Sequence, residues 1–113
     1  MSTATSGRAR EYRVRDDLIA HGWTYIMRAA GSRGPADIAL AHEEYGLALV
    51  QVGTGNKRLG PADRTRLLHA AYLCSALPVV ATVDRGVIRY ALVHDGVPSD
   101  WEPWDPGPRI VDG

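Results

Sequence analysis

Cysteine and lysine are almost missing from this chain, and no long apolar run occurs in it. A single cysteine, Cys74, excludes an internal disulfide; set in an apolar helical pattern, it reads as a small buried thiol, with a reducing compartment as the default. No segment is apolar over the length a bilayer demands, and the opening MSTATSGRAREY lacks the hydrophobic core of a secretory signal, so a soluble, cytoplasmic protein with no membrane partner is expected. Lys57 is the only lysine beside twelve arginines, a bias that a GC-rich genome produces before any function does. The four histidines are scattered and do not cluster as zinc ligands do. Net charge is also lacking, but its zero is a balance of two regions. Arg8, Arg10, Arg13, Arg15, Arg28, Arg33, Lys57, Arg58, Arg64 and Arg66 lie in the first two-thirds, and Asp95, Asp100, Glu102, Asp105 and Asp112 crowd the end. A basic face followed by an acidic tail fits a polyanion partner; a neutral protein with solvated arginines is the plainer alternative.

With 113 residues and 45% hydrophobic content, the chain can bury one core and not two, so a single compact domain over residues 1–93 with a tail over 94–113 is expected. From Arg8 to His21 the pattern is helical: Glu11, Val14 and Leu18 share one face, and Gly22 is positioned to end the helix. Glu11 on that stripe is either a helix-edge acid reaching water or a carboxylate held against the core for a purpose. Residues Trp23–Met27, Ala36–Ala41 and Leu47–Val52 read as strands, the last two joined by a turn at Glu43–Gly46. Gly60-Pro61 opens a second helix whose core-facing stripe is Leu67, Ala70, Ala71, Cys74 and Leu77, with Pro78 as its stop. Val79–Val83 and Val87–Val93 form two last strands around the turn Asp84-Arg85-Gly86. The segment DGVPSDWEPWDPGPRIVDG is too rich in proline, glycine and acid for a packed element; an extended tail docking through Trp101 and Trp104, on its own domain or on a partner subunit, is expected.

Two short matches carry nothing. GTGNKR lacks the spacing and hydroxyl residue of a phosphate-cradling loop, and HEEYG lacks the second histidine of a zinc-protease helix, so no small-molecule cofactor is expected. The informative stretch is Arg28 to Lys57, where two adjacent strands set an acid, Asp37, opposite a metal-ligand type, Gln51. A helix with Glu11, a strand with Arg28, a loop with Ser32 in GSRGPAD, a strand with Asp37, a strand with Gln51-Val52-Gly53 and then a helix resemble, in that order, the PD-(D/E)xK nuclease superfamily. Within it the likeness is greatest to archaeal-type Holliday junction resolvases, and it covers roughly residues 7 to 93. The resemblance implies an α/β, restriction-endonuclease-like fold: an αβββαβ core with a central mixed sheet flanked by helices and a site at one sheet edge.

It also implies a chemistry. Phosphodiester hydrolysis uses a hard cation, Mg²⁺ or alternatively Mn²⁺, held by oxygen ligands. Asp37, the Gln51 amide oxygen and the Val52 carbonyl are the implied ligands, with Glu11 reaching the ion directly or through water, and Ser32 is implied to bind a phosphate oxygen in the cleavage site. Gln51 removes a negative charge from the pattern, and Gly53 stands where the family presents the lysine that positions the attacking water. Residues 51 and 53 of a strand share a face, so Gly53 leaves volume where that ammonium would sit. Three readings follow: Lys57 fills the place across the flexible Thr54-Gly55-Asn56; an arginine such as Arg28 or Arg58 substitutes; or the site binds DNA and does not cut. Separate DNA contacts are assigned to Arg8, Arg10, Arg13, Arg15, Arg28, Arg33, Arg58, Arg64 and Arg66, the plainer reading being solvated surface.

The expectation is therefore a small homodimeric, Mg²⁺-dependent endonuclease that nicks branched DNA, chiefly four-way junctions, two-fold symmetry in the substrate favouring a symmetric dimer. A phage origin, with a role in recombination or debranching, rests on analogy. A DNA-binding module disarmed at Gln51 and Gly53, and a protein-interaction subunit using Trp101 and Trp104, are the alternatives.

Overall fold

The computed structural model describes residues 3–28, 34–54 and 59–110. Along them run α1 (Thr3–Ala20), β1 (Thr24–Arg28), β2 (Ile38–His42), β3 (Gly46–Thr54), α2 (Pro61–Cys74), β4 (Leu77–Asp84), β5 (Val87–Leu92), a 3-10 turn (Pro98–Asp100) and β6 (Glu102–Pro103). The first six follow the expected αβββαβ order, and β5 and β6 extend the sheet beyond it. Each strand pairs with its sequence neighbour, in the order β1-β2-β3-β4-β5-β6. All pairs are antiparallel except β3 with β4, which are parallel because α2 carries the chain back to the end of the sheet where β3 began. The sheet is therefore mixed.

Strand periodicity divides the core into two unequal parts. Val14 and Leu18 of α1, both fully buried, pack with Trp23, Ile38, Leu40, Ala48, Val50, Val79, Ala81 and Val83. Residues between these on the strands face the other way, where a smaller cluster of Ala36, Leu67 and Val93 gathers Leu49, Val80 and Trp101 beneath α2. The two helices thus cover opposite faces.

α2 begins as expected, with Gly60 extended and Pro61 in the first turn, where its missing N–H is no loss. It stops earlier than the apolar stripe implies. Ser75 turns left-handed (φ 54°) and the Ala76 N–H closes on the Ala71 carbonyl at 2.8 Å, so Leu77 and Pro78 belong to β4 and not to the helix. Cys74 corrects the expectation of a buried thiol. The last turn, Tyr72 to Ser75, is exposed throughout, because only Leu67 and Ala71 of this helix reach the sheet fully.

The proline-rich end is also more ordered than its composition implies. β6 pairs with β5, and the Trp104 N–H donates to the Tyr90 carbonyl at 3.0 Å. Trp104 meets Trp23 and Tyr90 edge-on, with ring centroids 5.5 and 5.6 Å apart. The Trp23 indole N–H donates to the Pro106 carbonyl at 2.9 Å, and the Ile110 N–H to the Ala20 carbonyl at 2.7 Å. Aromatic burial with satisfied indole donors replaces the periodic apolar pattern that the segment lacks. It docks on its own domain, the first of the two expected places. No described helix is long and apolar enough to cross a membrane.

Candidate active site

α1 and β1 meet in an ion pair. Glu11 lies one turn before Val14 on the stripe that enters the core, and Arg28 is the last residue of β1. The Arg28 Nε donates to Glu11 Oε1 at 2.5 Å, with 27% and 15% of the two side chains exposed. That hydrogen bond, and after it the Glu11 charge, raise the Arg28 pKa above its ordinary value. Glu11 is thus the carboxylate held against the fold and not the one reaching into water.

Strand register carries this pair to the other motif residues. Arg28 lies opposite Ile38, and Ile38 opposite Val50, so Asp37 and Gln51 are the next residues outward on β2 and β3. Here the two strands part. The Asp37 N–H donates to the Val50 carbonyl at 2.9 Å, and the next inward-facing donor, the Val52 N–H, is taken by Asp37 Oδ2 at 2.7 Å. A side-chain carboxylate replaces a backbone carbonyl at the fork. Losing it would strand a backbone donor, at a cost of about 1–3 kcal/mol.

Gln51 is oriented by its neighbour across the fork. Its amide Nε2 donates to the Pro35 carbonyl at 2.9 Å. A carbonyl only accepts, so the contact fixes which end of the amide is nitrogen and leaves Oε1 as the acceptor. Gly53 follows on the same face, with Thr82 of β4 beside it in the parallel register and Arg89 of β5 beside Thr82. Thr82 went unnoticed in the sequence because nothing local announces which residues a parallel crossover brings together. Nor does any signal there show that Pro35 would aim Gln51. Ser32, Arg33, Lys57 and Arg58 lie outside the described residues, so the structure places neither the loop hydroxyl nor the lysine.

The arginines assigned to DNA separate into two groups. Arg13 donates through Nη2 to the Gly86 carbonyl at 2.7 Å. Arg15 pairs with Asp16 at 2.9 Å and lies over the Tyr12 and Tyr25 rings, 4.6 and 5.7 Å from their centroids. Arg28 is held by Glu11, Arg66 by Asp63, and Arg64 lies 5.4 Å from the Trp101 ring with its Nε buried and without a hydrogen-bond partner. Arg8 and Arg10, on the first half of α1, have no such internal partner among the described residues.

Among the described residues no three His, Cys, Asp or Glu side chains come together as a metal cage. The donors at the fork are instead hard oxygens: one carboxylate from Asp37 and the amide oxygen of Gln51. That chemistry fits a magnesium-like ion that keeps several of its waters and takes few protein ligands.

Neither a family model nor a curated protein matches the sequence. Among solved structures the chain is similar to Hjc of Archaeoglobus fulgidus, a Holliday junction resolvase from an archaeal hyperthermophile. The identity is 22% over 74% of each chain, with a TM-score of 0.63. The chain therefore shares the mixed α/β fold of that protein, in the αβββαβ order expected, and at this identity the likeness is one of fold.

Proposed function

We propose that the protein is a structure-specific DNA endonuclease that nicks four-way junctions and related branched DNA by metal-dependent phosphodiester hydrolysis. The observation that carries the reading is the fork between β2 and β3, where Asp37 and Gln51 stand side by side and register brings the Glu11–Arg28 pair to the same end of a resolvase-like fold. Asp37, the Gln51 amide oxygen and the Val52 carbonyl would hold Mg²⁺ or Mn²⁺, with Glu11 contributing through water. When bound, such an ion neutralises charge on a phosphate oxygen and favours ionisation of water. The protein's own groups supply the rest. Arg28 holds Glu11 in one orientation, Pro35 holds Gln51, Ser32 binds a phosphate oxygen, and Lys57 supplies the cation that position 53 does not.

The protein works as a homodimer, matching the two-fold symmetry of a junction. The exposed Tyr72 and Leu73 at the end of α2, 83% and 67% accessible, give an apolar surface for the second copy. A second reading, junction binding without cutting, is favoured by Gly53 and by the neutralisation of Glu11 by Arg28. Trp101 and Trp104 are used inside the fold, which leaves a Trp-mediated interaction subunit without its docking residues.

Cleavage of an end-labelled four-way junction by wild type, Asp37→Ala and Lys57→Ala, in Mg²⁺ or Mn²⁺ and beside a plain duplex, separates the readings. Paired nicks from wild type that both variants lose support the endonuclease. Tight junction binding with no nicks in either metal supports the binding module.

A further inference from the structure

The β4–β5 hairpin carries two arginines that no catalytic role uses. Arg85 sits at its tip and Arg89 on β5 beside Thr82; both are exposed and have no ion pair, hydrogen bond or ring contact from their side chains among the described residues. Asp84, the nearest acid in sequence, pairs with neither. Arg85 and Gly86 form the two-residue loop with φ of 51° and 81°, the geometry that asparagine followed by glycine adopts with ease. A bulky side chain is strained in the left-handed region, so an arginine there is held against local preference.

The hairpin is also fixed in place. Arg13 of α1 donates to the Gly86 carbonyl at 2.7 Å, which pins the tip against the middle of the helix. Arg10 precedes Arg13 by one turn and Arg8 by less than two, so the unpartnered cations of α1 and those of the hairpin lie at one end of the molecule. It is the end at which β3 and β4 finish and Asp37 and Gln51 stand. Arg89 shares its row of the sheet with Thr82 and Gly53, two residues outward from Gln51. Among the described residues the Thr82 hydroxyl meets only the Arg89 carbonyl, at 3.5 Å, a contact long enough to be exchanged for another acceptor.

We propose that this hairpin is a second grip on DNA, in which Arg85 and Arg89 bind the sugar–phosphate backbone of an arm leaving the Asp37–Gln51 fork and continue a track begun by Arg8 and Arg10. The proposal rests on the DNA reading above and not on cleavage. The ligand chemistry is that of consecutive phosphodiesters: guanidinium forks and a hydroxyl match phosphate oxygens and read no base.

The test is the double variant Arg85→Asn/Arg89→Gln beside Arg109→Gln, which removes a cation outside the hairpin, from the C-terminal segment that shares a groove with Arg13, Asp17 and Ile88. Asparagine suits the left-handed position, so thermal unfolding of the double variant should match wild type or exceed it. Binding of a fluorescent four-way junction is measured between about 50 and 200 mM salt, and the same samples are scored for nicking in Mg²⁺ and Mn²⁺. The double variant should bind several-fold more weakly, with the slope of log affinity against log salt shallower by about 1–2, roughly one phosphate contact per arginine, while Arg109→Gln stays close to wild type. An unchanged slope in a folded double variant, or an equal loss in Arg109→Gln, overturns the hairpin grip even if wild type nicks junctions. A slope change without nicks in either metal upholds the grip and removes the endonuclease reading. A wild type with no salt-dependent junction binding overturns both.

Discussion

At the end of the sheet where α1 finishes, rings and chain close the fold. Trp23, His42 and Tyr45 contact one another there, Trp104 links Trp23 to Tyr90 farther along β5, and the C-terminal segment is tied across them through the Pro106, Gly107 and Ile110 backbone. At the opposite end the strands part, and the groups on show are a carboxylate, an amide, a glycine gap and arginines. One end spends its hydrogen-bond donors on its own chain. The other keeps Arg8, Arg10, Arg85 and Arg89 unpartnered among the described residues. The contrast teaches that charge in this sequence is a poor guide until the internal partners are known. Five of the arginines assigned to DNA are engaged within the fold, and two on the β4–β5 hairpin that received no assignment are not.

The largest expected effect falls on the closed end. Trp104→Ala should lower unfolding free energy by about 3–5 kcal/mol, measured by urea titration, since it removes an aromatic wedge and loosens the segment behind it. Below its unfolding transition the variant should still bind junction DNA, which separates the two ends experimentally. Loss of binding by a folded Trp104→Ala would break the contrast.

At the open end, Lys57→Ala should slow nicking by on the order of 10²-fold, and Gly53→Lys placed in that background should restore most of it by returning an ammonium to the Gln51 face. Single-turnover cleavage of a labelled junction reads both. No recovery would mean that position 53 does not face the reacting phosphate.

A smaller effect is expected at Tyr90, whose hydroxyl donates to Asp17 Oδ2 at 2.7 Å between α1 and β5. Burial first, and then the hydrogen bond and charge of Asp17, push this phenol far above the usual tyrosine range. Its folded pKa is raised, so its contribution is complete below the unfolded value of about 10 and is lost as pH climbs beyond it. Tyr90→Phe should cost about 1–2 kcal/mol at neutral pH, and the stability of wild type should fall more steeply than that of the variant above about pH 10. Unfolding titrations at pH 8 and in strong base compare them.

The smallest effect lies at the close of α2, at the end of the sheet where β3 begins and away from the fork. Ser75 occupies a left-handed position at the close of α2, and Ser75→Gly should raise stability by about 0.5–1 kcal/mol without altering DNA binding, as thermal unfolding and a binding titration would show.

Much of this arrangement is legible in the sequence where local spacing decides it. Val14 and Leu18 at helical spacing are fully buried, the β2–β3 hairpin has its turn where glutamate and glycine place it, and the pairing of those strands brings Asp37 to Gln51. What is not legible depends on distant partners. The 83-residue separation between Trp23 and the Pro106 carbonyl leaves no periodic trace, so the closing segment reads as a loose tail. The parallel register across α2 decides that Thr82 stands beside Gly53, and no local pattern encodes that offset. Cys74 falls at the right spacing for burial but lies in an exposed last turn, a matter of where Ser75 ends the helix and not of periodicity.

The most direct test of the division between the ends is arginine labelling with phenylglyoxal, read by mass spectrometry with and without a saturating four-way junction. Arg8, Arg10, Arg85 and Arg89 should label in the free protein and be shielded by the junction, while Arg109, within the closing segment next to Ile110, labels equally in both. Shielding of Arg109 with the other four still reactive would put DNA at the closed end and contradict the assignment of the fork as the working end.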